Sequence, residues 1–292
     1  MLQLHPIIHR LHYKDYRLSM LRLDLIHPEI SGNKWFKLAH NLHKARELGK
    51  DTILTFGGAF SNHIAATAFA CKQEGFKSTG IIRGEESARQ NPTLLAAHAN
   101  GMELFFVSRE EYKQKEEAAY LEALNERFPN AWIVPEGGNN AEGQQGCEMI
   151  LSEATNHFTH IFCAYGTGTT FKGIAKTLQA SQKLTGVHVL KYEAVTDLPG
   201  TEILNSYHFG GYARHTQELL DFKAWFEKES GIVLDYVYTA KLCYAVFDLI
   251  NKGQIAADEN ILIVHSGGLQ GNAGYEARYN LNPSRQVNEP QG

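Results

Sequence analysis

The chain has 292 residues, 43% of them hydrophobic and 21% charged, with a formal net charge of -4 when histidine is neutral. That length fits one large domain or two modest ones, and the composition is too apolar for a disordered chain. The mildly acidic balance shows no basic stripe, which argues against a nucleic-acid partner, and no apolar run approaches the ~20 residues that span a bilayer. The opening stretch, MLQLHPIIHRLHYKDYR, carries charge early and lacks a small-residue cleavage site, so it does not read as a signal peptide. Cys71, Cys147, Cys163 and Cys243 are far apart in apolar surroundings. They read as buried, reduced thiols of a cytoplasmic protein.

Taken in chain order, the punctuation is regular. Thr52–Phe56 reads as a strand closed by Gly57-Gly58. Ser61 then suits an N-cap, since its oxygen accepts from free first-turn amides, and an Ala-rich helix follows through Cys71. Ser78–Ile82 and Met102–Val107 read as strands, with a helix from Pro92 to Ala99 between them. The Glu-, Lys- and Ala-dense stretch Arg109–Arg127 predicts one long helix, Trp132–Pro135 a strand, and Gln144–Ala154 a helix. His160–Ala164 predicts a strand, Phe171–Gln182 a helix, and Ile261–Val264 a buried strand. Tyr192–Thr216 carries no assignable period, and Asn282–Gly292 reads as a loose tail. Strand, Gly or Ser turn, helix and strand, repeated, predict an α/β protein with parallel sheets wrapped by helices. A ligand crevice is then expected at the carboxyl ends of the strands, where the Gly-rich turns fall.

Five stretches could carry chemistry. Ser31-Gly32-Asn33-Lys34-Trp35-Phe36-Lys37 sets lysines beside a turn, and a lysine in a pocket can lose its proton and form a Schiff base. Phe56-Gly57-Gly58-Ala59-Phe60-Ser61-Asn62-His63 is a strand-to-helix turn with free amides and three polar side chains. Tyr165-Gly166-Thr167-Gly168-Thr169-Thr170 can cradle a phosphate, because amides and the dipole at a helix start favour an anion. It matches neither the Walker A spacing nor the dinucleotide fingerprint, which argues against a nicotinamide dehydrogenase. Asp235-Tyr236-Val237-Tyr238-Thr239-Ala240-Lys241 and His265-Ser266-Gly267-Gly268 complete the set. Singly, each could also be a capped turn or a strand end.

Together and in this order, the five stretches resemble the D-cysteine desulfhydrase and 1-aminocyclopropane-1-carboxylate deaminase family. So do Arg83-Gly84-Glu85, Glu136-Gly137-Gly138-Asn139 and Gly210-Gly211-Tyr212, and the resemblance runs from about Ser31 to Leu269. It implies a pyridoxal 5'-phosphate enzyme of fold type II, like the tryptophan synthase β-subunit. Such an enzyme has two three-layer αβα domains with open, mostly parallel sheets and the cofactor between them. Residues 1–48 and 156–292 would form the larger domain, and 49–155 a smaller inserted one. By the same resemblance Lys34 is the lysine joined to the cofactor, and Lys37 lies near its phosphate. Asn62 holds the ring hydroxyl oxygen, Gly166, Thr167, Gly168, Thr169 and Thr170 form the phosphate loop, and Ser266 faces the pyridine nitrogen. Lys34, Ser61 and Tyr238 are the implied catalytic residues and Ser61, Asn62, His63 and Tyr238 the implied substrate contacts, with Ser61 and His63 where the substrate carboxylate or leaving group would be and Tyr238 on the opposite side of the site. A homodimer is also implied.

The expected function is a lyase or deaminase of a small amino acid, most like D-cysteine desulfhydrase, working by α,β-elimination to a keto acid and ammonia. No metal is expected. The cyclopropane-opening branch carries Glu after the family tyrosine, where this chain has Thr239, and its substrate has no α-proton. Phe60, Ala65, Cys147 and Tyr236 also depart from the family pattern, mostly toward the substrate side. Between Leu190 and Thr201 the chain is shorter than its relatives. Cyclopropane deamination, amino-acid racemisation and a binding protein that keeps the phosphate cradle without turnover stand as alternatives.

Overall fold

The computed structural model describes residues 7–27, 30 and 32–281. The chain begins with strands β1 (Ile8–Leu11) and β2 (Arg17–Arg22), then helix α1 (Asn33–Glu47). There follow β3 (Thr52–Gly58), α2 (Asn62–Glu74), β4 (Lys77–Arg83), α3 (Pro92–Ala99) and β5 (Met102–Val107). Next come α4 (Arg109–Lys113), α5 (Ala118–Arg127), β6 (Ala131–Val134), α6 (Ala141–Cys147), β7 (His160–Tyr165) and α7 (Thr169–Ala175). The rest is β8 (Lys183–His188), β9 (Thr201–Leu204), α8 (Gln217–Ser230), α9 (Thr239–Asn251), β10 (Asn260–His265) and α10 (Asn272–Tyr279).

Two sheets result. The smaller has the order β5-β4-β3-β6 and is parallel throughout. The larger has the order β1-β2-β10-β7-β8-β9 and is parallel except for the β1–β2 pair. Alternation along the strands divides the core. In β10, Ile261 and Ile263 pack under α8 and α9 with Leu242 and Val246, while Leu262 and Val264 face Phe171 and Ile174 of α7. In β3, Ile53 faces α1 and α2, while Leu54 and Phe56 face Tyr112 of α4 and Leu124 of α5. Both sheets are therefore covered by helices on both faces, the arrangement that continuous apolar strands require.

Helix α1 joins the two halves. Leu38, Leu42 and Ala45 pack on the smaller sheet, and Phe36 joins the core of the larger one. Helix α6 crosses α1 so closely that a Cβ on Gly146 would lie 1.8 Å from the Phe36 carbonyl oxygen.

Several boundaries differ from the sequence reading. The predicted helix Arg109–Arg127 is broken: α4 ends at Lys113, a 3-10 turn covers Gln114–Glu116, and Glu117 is extended (φ -77, ψ 134) before α5 begins. The helix expected from Gln144 begins earlier, since the Asn140 side chain caps it by accepting from Gly143 N, and it stops at Cys147. The helix expected from Phe171 begins at Thr169 and ends at Ala175. The unassigned stretch contains the edge strand β9. Ser31 and the Asn282–Gly292 tail lie outside the described residues. No helix among the described residues is long and apolar enough to cross a membrane.

Candidate active site

The carboxyl ends of β3, β4, β6, β7 and β10 open onto one cavity of about 620 Å³ between the two sheets. Lys34, Lys37, Ser61, Asn62, His63, Gly166, Thr167, Gly168, Thr169, Thr170, Tyr238 and Ser266 all line it. Sequence positions more than two hundred residues apart thus meet where parallel strands end, as the open-sheet rule requires.

The start of α1 is pressed against the end of β10. Asn33 N donates to the Ser266 carbonyl oxygen at 3.1 Å. Gly32 makes this approach possible: its φ is +76, and a Cβ there would lie 1.9 Å from that oxygen. Lys34 Nζ donates to Asn33 Oδ1 at 2.7 Å, and Asn33 Nδ2 donates to Thr170 Oγ1 at 2.8 Å. Asn33, which the sequence reading did not assign a role, therefore ties the lysine to the Gly166–Thr170 loop.

Burial lowers the Lys34 ammonium to about 7, and the nearby charge of Lys37 pushes the same way. Lys34 then spends much of its time near neutrality as a free amine, the form able to attack a carbonyl or take a proton. Lys37 is buried and donates from Nζ to the Gly137 carbonyl at 3.0 Å. Its pKa is also lowered, chiefly by burial.

Helix α2 is capped as predicted, with Ser61 Oγ accepting from Ile64 N. Asn62 Nδ2 donates to the Gly268 carbonyl at 3.2 Å, while its Oδ1 is buried without a partner. His63 can be read to the level of its protons. Thr55 Oγ1 donates to the Val134 carbonyl at 2.7 Å, so it has no proton left for His63 Nε2 at 2.9 Å. Nε2 therefore carries the hydrogen, and the buried Nδ1 is a bare acceptor with no partner. Burial, then the charges of Lys34 and Lys37, pushes the ring down to about 3, so it stays neutral.

The turn after β7 presents the first-turn amides of α7, which a helix cannot satisfy internally. Thr169 Oγ1 donates to Asn139 Oδ1 at 2.7 Å and lies 3.1 Å from Thr167 Oγ1. Amides and hydroxyls here suit a phosphate.

Tyr238 immediately precedes α9. Asp235 anchors that start: its carboxylate accepts from the backbone of Val237, Tyr238 and Thr239 and from the Thr239 hydroxyl. Thr239 is fully buried by this role and does not line the cavity. The Tyr238 ring packs over Gly166, and burial pushes its hydroxyl well above the usual range.

Arg83, Glu136, Tyr212, Arg214, Arg278 and Tyr279 line the same cavity without having been singled out as site residues. Three of them, Arg83, Glu136 and Tyr212, lay in the Arg83-Gly84-Glu85, Glu136-Gly137-Gly138-Asn139 and Gly210-Gly211-Tyr212 motifs, which were the available signal. Arg278 and Tyr279 had none, because an ordinary helix end reaches the cavity only through the tertiary fold.

Among known proteins, the chain matches the pyridoxal-phosphate dependent enzyme family over residues 16–267. It is 29% identical to the bifunctional mitochondrial D-cysteine desulfhydrase/1-aminocyclopropane-1-carboxylate deaminase of Arabidopsis thaliana, over 87% of this chain and 73% of the relative. It is 25% identical to a D-cysteine desulfhydrase of Serratia proteamaculans, over 88% of each. A solved structure described as an ACC deaminase homologue superposes with a TM-score of 0.79 at 26% identity, covering 94% of this chain and 92% of the other. The cavity fits the cofactor that the family is named for. It offers a near-neutral lysine amine, loop amides and hydroxyls for a phosphate, and buried bare acceptors at Asn62 and His63 for hydrogen-bond donors of a bound molecule. The chain belongs to the pyridoxal-phosphate dependent enzymes.

Proposed function

We propose that this enzyme is a lyase that eliminates a β-substituent from a small amino acid and releases a keto acid and ammonia. The observation that carries this reading is Lys34, an amine brought near neutrality in the same cavity as the Gly166–Thr170 loop. Bound pyridoxal phosphate supplies an electron sink for the bonding pair released at Cα. In this reading Gly166, Thr167, Gly168, Thr169 and Thr170 bind the phosphate with Lys37 near it, and Asn62 and Ser266 orient the ring. The Ser266 hydroxyl is neutral and does not hold a positive charge on the ring nitrogen as a carboxylate would. Lys34 Nζ is the base that takes the α-proton. Ser61, Asn62 and His63 receive the substrate from the α2 side, and Tyr238 closes the other side. The bond from Cβ to the leaving group then breaks, and the enamine released hydrolyses to keto acid and ammonia.

Thr239 supports elimination over opening of a cyclopropane ring. Its hydroxyl is engaged by Asp235, and the position carries no carboxylate. The smaller domain is proposed to span 49–155, inserted in a larger one of 1–48 and 156–292, and the enzyme to work as a cytoplasmic homodimer.

The test is a keto-acid release screen over D- and L-amino acids with 1-aminocyclopropane-1-carboxylate included. Sulfide and pyruvate from D-cysteine support the reading. 2-Oxobutanoate from the cyclopropane acid would replace it, and so would inversion without keto acid. Borohydride treatment of the yellow holoenzyme should fix the cofactor on the peptide carrying Lys34, and Lys34→Ala should abolish that adduct. A persistent adduct on another lysine would remove Lys34 from its role.

A further inference from the structure

The cavity is lined by three guanidinium groups to which the reading above gives no role. Besides Lys34 and Lys37, three arginines line it: Arg83 at the end of β4, Arg214 in the strap that follows Gly210-Gly211, and Arg278 in the last turn of α10. None of the three makes an ion pair among the described residues. The one carboxylate in the lining, Glu136, faces Lys115 at 3.6 Å.

The arginines come from separate elements around the cleft, and the backbone positions of two of them are defined by their surroundings. The Arg83 guanidinium lies 3.5 Å from where a Cβ on Gly58 would be, over the turn that leads to Ser61. Arg214 sits on an anchored strap. Lys241 Nζ donates to the His208 carbonyl at 2.8 Å and to the Gly211 carbonyl at 2.7 Å, and the Tyr279 hydroxyl donates to the Ala213 carbonyl at 2.9 Å. Tyr212 on this strap meets the Tyr238 ring edge to face at 6.4 Å. The three arginines are solvent-exposed, Arg83 over the Tyr112 ring and Arg278 over the Tyr279 ring, and guanidinium groups without carboxylate partners bind an oxyanion through paired N–H donors.

From this arrangement we propose that Arg83, Arg214 and Arg278 form an oxyanion subsite, so that preferred substrates are small amino acids whose β-substituent is itself anionic: a phosphate or sulfate ester, or a sulfonate. The proposal rests on the elimination reading above and specifies its leaving group. The α-proton passes to Lys34 Nζ, and its bonding pair becomes the Cα–Cβ double bond. The bond from Cβ to oxygen or sulfur breaks, and its pair leaves with phosphate, sulfate or sulfite. Hydrolysis of the enamine gives pyruvate and ammonia. Guanidinium donors facing the departing group stabilise the charge that collects on it.

The test compares kcat/KM of the holoenzyme for both enantiomers of O-phosphoserine, serine O-sulfate and cysteic acid with that for β-chloroalanine, which has a good but uncharged substituent. At least one anionic substrate is expected to exceed β-chloroalanine ten-fold or more, and the three anions separate ester from sulfonate preference. In Arg214→Gln/Arg278→Gln and in Arg83→Gln the ratio of anionic to neutral kcat/KM should fall at least ten-fold. Calorimetric binding of 3-phosphonopropanoate, which carries the anion but no amine, should weaken by a similar factor. An unchanged ratio, or no anionic preference in an enzyme that turns over β-chloroalanine, overturns the subsite and leaves the elimination reading standing. Variants that lose pyridoxal phosphate on dialysis and keep their ratio also overturn it, since the arginines then serve the cofactor. If no substrate yields keto acid, the elimination reading fails. Binding of 3-phosphonopropanoate and its loss in the variants then decides the anion site alone.

Discussion

His63 keeps one ring nitrogen satisfied and the other bare, and its neutrality has a measurable consequence. Unfolded, a histidine takes a proton near 6.5, whereas this one does so only at about 3. Between those values the unfolded chain binds more protons. His63 therefore removes stability as the pH falls through 6.5 toward 3, by up to ~1.4 kcal/mol per pH unit. Its ring signals in an NMR titration should not move between pH 8 and 4. Thr55→Val leaves Nε2–H without an acceptor and should lower unfolding free energy by ~1–3 kcal/mol in a urea titration at pH 7. Asn62 and His63 were legible because they follow a strand-to-helix turn. Thr55 was not, because its role depends on the Val134 carbonyl of a neighbouring strand. Lys34 gives a second profile. Its capture of a small aldehyde by the cofactor-free protein should rise with pH around a midpoint near 7, since the reactive form is the neutral amine.

Helix α1 carries both active-site lysines and touches both cores, so its packing against α6 bears directly on the site. A methyl group at Gly146 has no room beside the Phe36 carbonyl, and backbone cannot swing aside as a side chain can. Gly146→Ala should cost ~1–3 kcal/mol by urea denaturation and displace the start of α1, with weaker cofactor retention on dialysis. The strap at 208–214 depends in the same way on Lys241, a fully buried lysine. Lys241→Met replaces both of its hydrogen bonds with a thioether, and the strap should then become the preferred site of limited proteolysis. Sequence patterns found helices and strands with clear caps or apolar runs, such as α2 and β10. They left β1, β2, α1, α8, α9 and α10 unassigned, and they missed β9, a short edge strand with partial burial, and β8, whose Gly186 interrupts the apolar period. They also fused α4 and α5, because charged helix-forming residues continue across the extended Glu117.

Across the molecule, a site built between two sheets makes the bound cofactor a common anchor for both. At a hundred times its dissociation constant, pyridoxal phosphate should add ~2.7 kcal/mol of stability, seen as a higher Tm than that of the stripped protein. The α/β class was legible because strand, turn and helix recur with local signals. The division into two sheets was not set by those signals. Nothing local tells β2 that its neighbours are β1 and β10, and that pairing is seen only in the folded structure.

The β2–β10 pair also bears on the order in which the molecule can be made. Met20 lies beside Ile263, so a strand synthesised among the first must wait for almost the last before its inner edge is filled. All four strands of the smaller sheet leave the ribosome before that. The emerging chain can therefore fold its middle first and hold its beginning unpaired. A nascent chain halted before Asn260 should show the smaller sheet protected from protease and β2 open to it. Only the arrival of β10 seats Gly32 against Ser266 and brings Lys34 to its working position.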